Sequence, residues 1–219
     1  MIPFFKRLRI LSKVQLVSET SEFYFSKQVD FELNAGASIE VHGKVTIGFP
    51  LPGTGLGFPA HDKTVISLGK NARLKFLGDT FIANGSGLYV GENGVFTFAG
   101  NNFIAHNSLF LCKKEIWYGK NSSSSWNFTA IDDDNHSFYH TNGTPVHKKP
   151  KPLIIGDNVA IQVNVIIPAG VTIGANSIIG AGTVIRQDIP PNVRAYGKQE
   201  MRIKEGVTYG FQFQPRNSK

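Results

Sequence analysis

Residues 131–152 read IDDDNHSFYHTNGTPVHKKPKP and hold three of the chain's six histidines, His136, His140 and His147. An unperturbed imidazole titrates near pH 6.5, so a positioned histidine can take a proton from a hydroxyl at neutral pH. Asp132 and Asp134 precede His136; each can orient that ring, or cap backbone N–H groups in a turn. His140 and His147 fit solvated loop positions, and Tyr139 suits either stacking on a ring or anchoring the loop. The single cysteine, Cys112, lies in LFLCKKE among alternating apolar residues and fits a core position, with no partner nearby in sequence to make it a nucleophile.

Such a loop needs a scaffold, and the next residues supply one. From Ile155 the chain reads IGDNVA, IQVNVI, IPAGVT, IGANSI, IGAGTV and IRQDIP without a break. Isoleucine opens each unit at 155, 161, 167, 173, 179 and 185, and the fifth place holds Val159, Val165, Val171, Ser177, Thr183 and Ile189. A 3.6-residue helix cannot keep every sixth residue on one face, whereas a strand and a corner can. Three such units make a triangular coil, and stacked coils pair as parallel strands. LGKNA (68–72), VGENG (90–94), YGKNS (118–122), IGDNV (155–159) and IGANS (173–177) share an apolar-Gly-x-Asn corner, so one solenoid is expected from about Val29 to Gly197. FPLPGTGLGFPAHDK (49–63) interrupts it; no helix follows its glycines, as a nucleotide loop would require.

The expected layout is an N-terminal segment at 1–28, a β-helix domain at 29–197 with a loop at 130–152, and a C-terminal segment at 198–219. The opening MIPFFKRLRILSKVQL reads as a short amphipathic helix, with Phe4, Phe5, Leu8 and Leu11 on one face. Docking on its own protein and weak membrane-surface contact through 1–13 are both open to it. It has neither the unbroken apolar run nor the cleavage site of a secretory signal, and a lone cysteine fits a reducing compartment, so cytoplasmic localisation is expected. The net charge of +7, from 23 basic and 16 acidic residues, favours anionic partners. No aromatic–basic platform of the usual nucleic-acid modules is present, so none is expected to bind.

The hexapeptides resemble those of the left-handed β-helix acyltransferases. Periodicity gives the solenoid, and only the resemblance gives its hand, since parallel crossovers are usually right-handed. Residues 131–197 are similar to the sugar and polysaccharide O-acetyltransferases, on the strength of Asp132-x-Asp134-x-His136, KPKPLIIGDNV and VIIPAGVTIGANSIIGAGTVIRQDIPPNV. The resemblance implies an all-β, left-handed parallel β-helix that forms a homotrimer with active sites between subunits. It implies acetyl-CoA as co-substrate, no metal, and an acceptor sugar from a capsule, O-antigen or related surface glycan. His136 matches the family's base, and the Val163 N–H its oxyanion donor; Asp134 and Asp132 are then expected to orient His136 or bind sugar hydroxyls, with Tyr139 on the sugar ring. Ala160, Ala181, Arg186, Arg202 and Lys204 fall at or near coenzyme positions, the basic ones suited to its phosphates.

The chain departs from the family at Ala160-Ile161-Gln162, where Trp-Ile-Gly is usual, at Gly197-Lys198-Gln199-Glu200, where Gly-x-Pro-Ala is usual, and at Ser137, where proline is frequent. Three alternatives stand beside O-acetylation. One is an N-acyltransferase of a nucleotide-linked amino sugar. Another is a zinc enzyme like the γ-type carbonic anhydrases, which the crowding of the three histidines into one loop disfavours. The last is a non-catalytic solenoid that binds glycans or proteins.

Overall fold

The computed structural model describes residues 10–50, 63–133 and 150–197, and the backbone of two short strands at 138–139 and 145–146. The chain winds as a parallel β-helix with three flat faces. The first face stacks Val14–Leu16, Ser38–Val41, Arg73–Phe76, Val95–Phe98, Glu115–Tyr118, Leu153–Ile155 and Thr172–Ile173. The second stacks Glu22–Phe25, Lys44–Phe49, Thr80–Ala83, Asn102–Ile104, Ser123–Ser124, Ala160–Ile161, Ile178–Ile179 and Arg194–Ala195. The third stacks Val29–Leu33, Thr64–Leu68, Gly87–Val90, Leu109–Cys112, Thr129–Ile131 and Ile166–Ile167, and Val184 adds one more bridge. Every ladder within these faces is parallel, at about 4.8 Å per coil.

The residue types explain the coil. Ile155, Ile161, Ile167, Ile173, Ile179 and Ile185 all point inward and are buried, and Val159, Val165, Val171, Ser177 and Thr183 join them. The Gly-x-Asn corner has two separate causes. Asn71, Asn93, Asn121, Asn158 and Asn176 all take positive φ, between 56° and 60°, a conformation that asparagine adopts more readily than other side-chain-bearing residues. The glycine is needed because successive coils touch there: a Cβ on Gly119 would collide with the Gly156 carbonyl. In the middle coils the core is aromatic. Phe76 and Phe98 stack with centroids 5.3 Å apart, and Phe110, Tyr118 and Phe128 pack edge-on beside them, all fully buried.

The solenoid starts earlier than the expected Val29. Val14–Leu16 pairs with Ser38–Val41, and Glu22–Phe25 with Lys44–Phe49, so much of the supposed N-terminal segment is already coil. Its corner, Ser18 to Ser21, is held by side-chain hydroxyls in place of Gly and Asn, which hides the repeat. Ile10 is buried in the end of the core, while Leu11, assigned to an apolar face, is 41% exposed; residues 1–9 of the expected helix lie outside the described residues. The chain leaves the solenoid at Phe49 and rejoins it at Thr64, where the sequence marks an insertion.

Candidate active site

Two edges of the prism carry the candidate residues. After Ile131 the chain leaves the edge between the third and first faces, and it returns to the first face at Leu153. Asp132 fixes the point of departure. Its carboxylate is buried and accepts the backbone N–H groups of Lys113 at 2.6 Å, Lys114 at 2.7 Å and Glu115 at 2.8 Å. Its own N–H donates to the Leu111 carbonyl at 3.1 Å, and its carbonyl accepts the Lys151 N–H at 3.1 Å. One residue therefore ties both stems of the loop to the coil below. Asp133 adds an ion pair with Lys113 at 3.1 Å.

Asp132 was expected to touch a sugar or to orient His136. The structure corrects this: with both oxygens occupied by backbone donors and no exposed surface, it is an anchor for the loop. Inside the loop, Phe138–Tyr139 pairs antiparallel with Pro145–Val146, which makes the excursion a hairpin. Asp134 and His136, and with them Arg202 and Lys204, lie outside the described residues; for Tyr139 the backbone alone is described. Cys112 sits under the anchor. Burial and then the Asp132 charge push its thiol well above the usual range, and its Sγ donates to the Val95 carbonyl at 3.3 Å. It is a protonated core residue and no nucleophile.

The edge between the second and third faces carries the rest. There Asn107, Asn127, Asn164 and Gly182 donate their N–H groups to the carbonyls of Asn84, His106, Trp126 and Val163, at 3.4, 3.1, 3.0 and 2.9 Å. Asn84, His106, Trp126 and Val163 thus form a column, one per coil. Among the described residues the Val163 N–H donates to no backbone carbonyl. Ala181 stands one coil further on, and its N–H is covered by the Gln162 side-chain oxygen at 3.0 Å. Ala160 is exposed on the second face, in register with Ser123 and Ile178.

The structure therefore gathers Val163, Ala160 and Ala181 along one edge and its flank. Arg186 is exposed near the other edge, the one from which the loop springs, a full face away. Trp126 and Gln162 were not singled out as site residues in the sequence, yet Trp126 stands one coil from Val163 and Gln162 directly precedes it; His106, also not singled out, lies one coil beyond Trp126. The signal was available: His106-Asn107, Trp126-Asn127 and Val163-Asn164 repeat one corner without its glycine, and all three asparagines have φ near 58°.

Residues 152–187 match the family model described as bacterial transferase hexapeptide (six repeats). No curated protein matches the chain. Among solved structures, the chain is similar to a maltose O-acetyltransferase from Clostridium difficile 630, at 21% identity over 90% of this chain and 73% of that one, with a TM-score of 0.40. It is similar to the polysialic acid O-acetyltransferase OatWY, at 20% identity over 90% and 95% of the two chains, with a TM-score of 0.41. For a galactoside acetyltransferase in complex with coenzyme A the identity is 19%, over 90% and 68%, with a TM-score of 0.27.

Proposed function

We propose that the protein is an acetyl-CoA-dependent O-acetyltransferase acting on a sugar hydroxyl of a surface glycan or its precursor. The observation that carries this is the anchored break in the solenoid: a histidine-bearing loop, clamped at its neck by Asp132, directly before coils that match the transferase hexapeptide. In this mechanism the His136 imidazole takes the proton of the acceptor hydroxyl. That oxygen bonds to the acetyl carbon, the carbon–sulfur bond breaks, and the thiolate of coenzyme A takes the proton back from the imidazolium. The acyl oxygen, as negative charge builds on it, is held by the Val163 N–H, which donates to no backbone carbonyl among the described residues. The pantetheine arm lies along Ala160 and Ala181.

The loop and Val163 belong to different edges of one prism, which favours a site shared between copies. The first strand of the third face turns Asp30 and Glu32 outward, but in the coils beyond it the outward residues are Val65, Ser67, Gly87, Tyr89, Leu109, Leu111, Thr129, Ile131, Ile166 and Val184, with no charge among them. A trimer with this face toward its axis sets the loop edge of one copy against the Val163 edge of the next. Arg186, on the loop edge, then approaches the phosphates of coenzyme bound to the neighbour, and Arg202 and Lys204 supply further positive charge. The protein is expected to work in the cytoplasm, where acetyl-CoA is available.

The test is acetyl-CoA turnover against maltose, methyl β-galactoside and sialic acid oligomers, with the ester located on the product. His136→Ala should lower the rate by about 10²- to 10⁴-fold at unchanged mass and melting temperature. Retention of most of the rate would move the base to another residue.

A further inference from the structure

On the second face, Tyr24, Thr46, Phe81, Phe103, Ser123 and Ala160 point outward and follow one another in register, one coil apart. The Phe81 and Phe103 rings lie parallel, with centroids 5.5 Å apart and 11° between their planes. A cross-strand pair of rings stabilises a sheet wherever it sits, so the pair alone marks no site. The space beside it does. Phe103 covers one face of Phe81, and the other face looks toward Thr46, whose short side chain leaves a groove of about 280 Å³ on the outside of the prism. Lys44, Asp79 and Asn101 also line it. Asp79 is fixed there because its Oδ1 accepts the Lys44 N–H at 2.8 Å, and a carboxylate keeps acceptor capacity beyond that one bond. The Lys44 ammonium stands 5.6 Å from the centre of the Tyr24 ring and 3.7 Å from Glu22 Oε2. Tyr24 and Phe103 are both exposed, at 46% and 39%.

We propose that this groove is a glycan subsite, which holds non-reacting sugars of a polymeric acceptor while another sugar of the same chain is acetylated. A sugar presents a C–H face and a rim of hydroxyls, and the groove answers both. The Phe81 ring meets the first, and the Asp79 carboxylate, the Asn101 amide and the Lys44 ammonium meet the second. The opposite charges of Lys44 and Asp79 suit a neutral, hydroxyl-rich stretch, whereas a nucleic acid or an acidic peptide is drawn to a single sign. The groove also lies on the way to the reaction. From Thr46 through Phe81, Phe103 and Ser123 to Ala160 the row climbs about 19 Å at about 4.8 Å per coil, a span that a chain of sugars covers and a single sugar does not. The inference rests on the glycan acetylation proposed above, and it adds that the substrate is a chain and not a free sugar. A trimer built on the third face leaves the second face uncovered.

The test is a printed array of neutral and acidic bacterial-type oligosaccharides, each spotted as a chain and as its single sugar, probed with the affinity-tagged protein. Wild type and His136→Ala should bind the same neutral chains, and should bind the single sugars about tenfold more weakly or less. Phe81→Ala should lower the affinity for the chain about tenfold. Thr46→Phe extends the aromatic row and fills the groove, so it should abolish binding while leaving the melting temperature unchanged or raised. In acetyl-CoA turnover with the bound chain as acceptor, Thr46→Phe should raise the chain KM about tenfold and leave the KM for acetyl-CoA within about twofold. A blank array with wild type, equal binding of chain and single sugar, or undiminished binding or an unchanged chain KM in Thr46→Phe overturns the inference. So does a fall in the molecular mass of Phe81→Ala by light scattering, which would make the groove a contact between copies. Chains that bind wild type and not Thr46→Phe, yet are never acetylated, leave the subsite standing and remove the acetyl transfer.

Discussion

Asp132 shows how little a residue type says until its surroundings are known. A carboxylate four residues before a candidate base could hold a substrate, a ring or the backbone, and here three N–H groups claim it. Asp132→Ala should therefore lower unfolding stability by about 3 kcal/mol, because buried donors lose a charged acceptor, and denaturant unfolding measures this. Asp132→Asn, which keeps one acceptor oxygen, should cost less. If Asp132→Ala instead left stability intact and raised only the acceptor KM, it would return to the substrate. His136 carries the opposite expectation, a loss of catalysis without loss of fold.

At the scale of the element, the corner is the unit that decides. Glycine is required where coils touch, and asparagine where φ is positive. The asparagines also join into a ladder, Asn121 to Asn158 to Asn176 to Asn192, each link 3.0 Å. Asn158→Val should cost about 1–3 kcal/mol, since a β-branched residue resists this φ, whereas Asn158→Gly should lose little beyond the ladder bonds. Gly119→Ala should cost a similar amount through its clash with Gly156. Equal effects of Val and Gly at 158 would refute the conformational account.

At the scale of the whole molecule, two outcomes follow from burial. The buried Cys112 thiol and Tyr118 phenol are both held protonated, chiefly by desolvation. Folded-state values raised above the unfolded ones mean stability that is complete below about pH 8.5 and falls as pH rises past it, first for the thiol and then for the phenol near pH 10. Melting temperatures between pH 8 and pH 10.5 should decline, and Tyr118→Phe should flatten the upper part of that decline. The second outcome concerns the uncharged stretch of the third face, from Val65 to Val184. Ile166→Lys should break self-association, read as a fall in mass by light scattering, and should abolish acetyl transfer with it. A variant that is monomeric yet fully active would remove the need for a shared site.

The coil was legible in the sequence because its requirement recurs every six residues: an inward aliphatic, then a corner that only a few residue types can form. Where the repeat softens, at Ser18 to Ser21, the coil continues but the pattern no longer announces it, since hydroxyl hydrogen bonds replace the usual corner chemistry. The loop and its histidines were legible as a break in that beat. What sequence could not decide was which side chains meet. Asp132 and Lys113 to Glu115 are far apart in the chain, and so are Trp126 and Val163, and only the stacking of coils makes them neighbours. The repeat dictates the shape of each turn. The register between turns, set by packing along the whole prism, turned a presumed sugar ligand into an anchor and brought an overlooked tryptophan to within one coil of the proposed oxyanion donor.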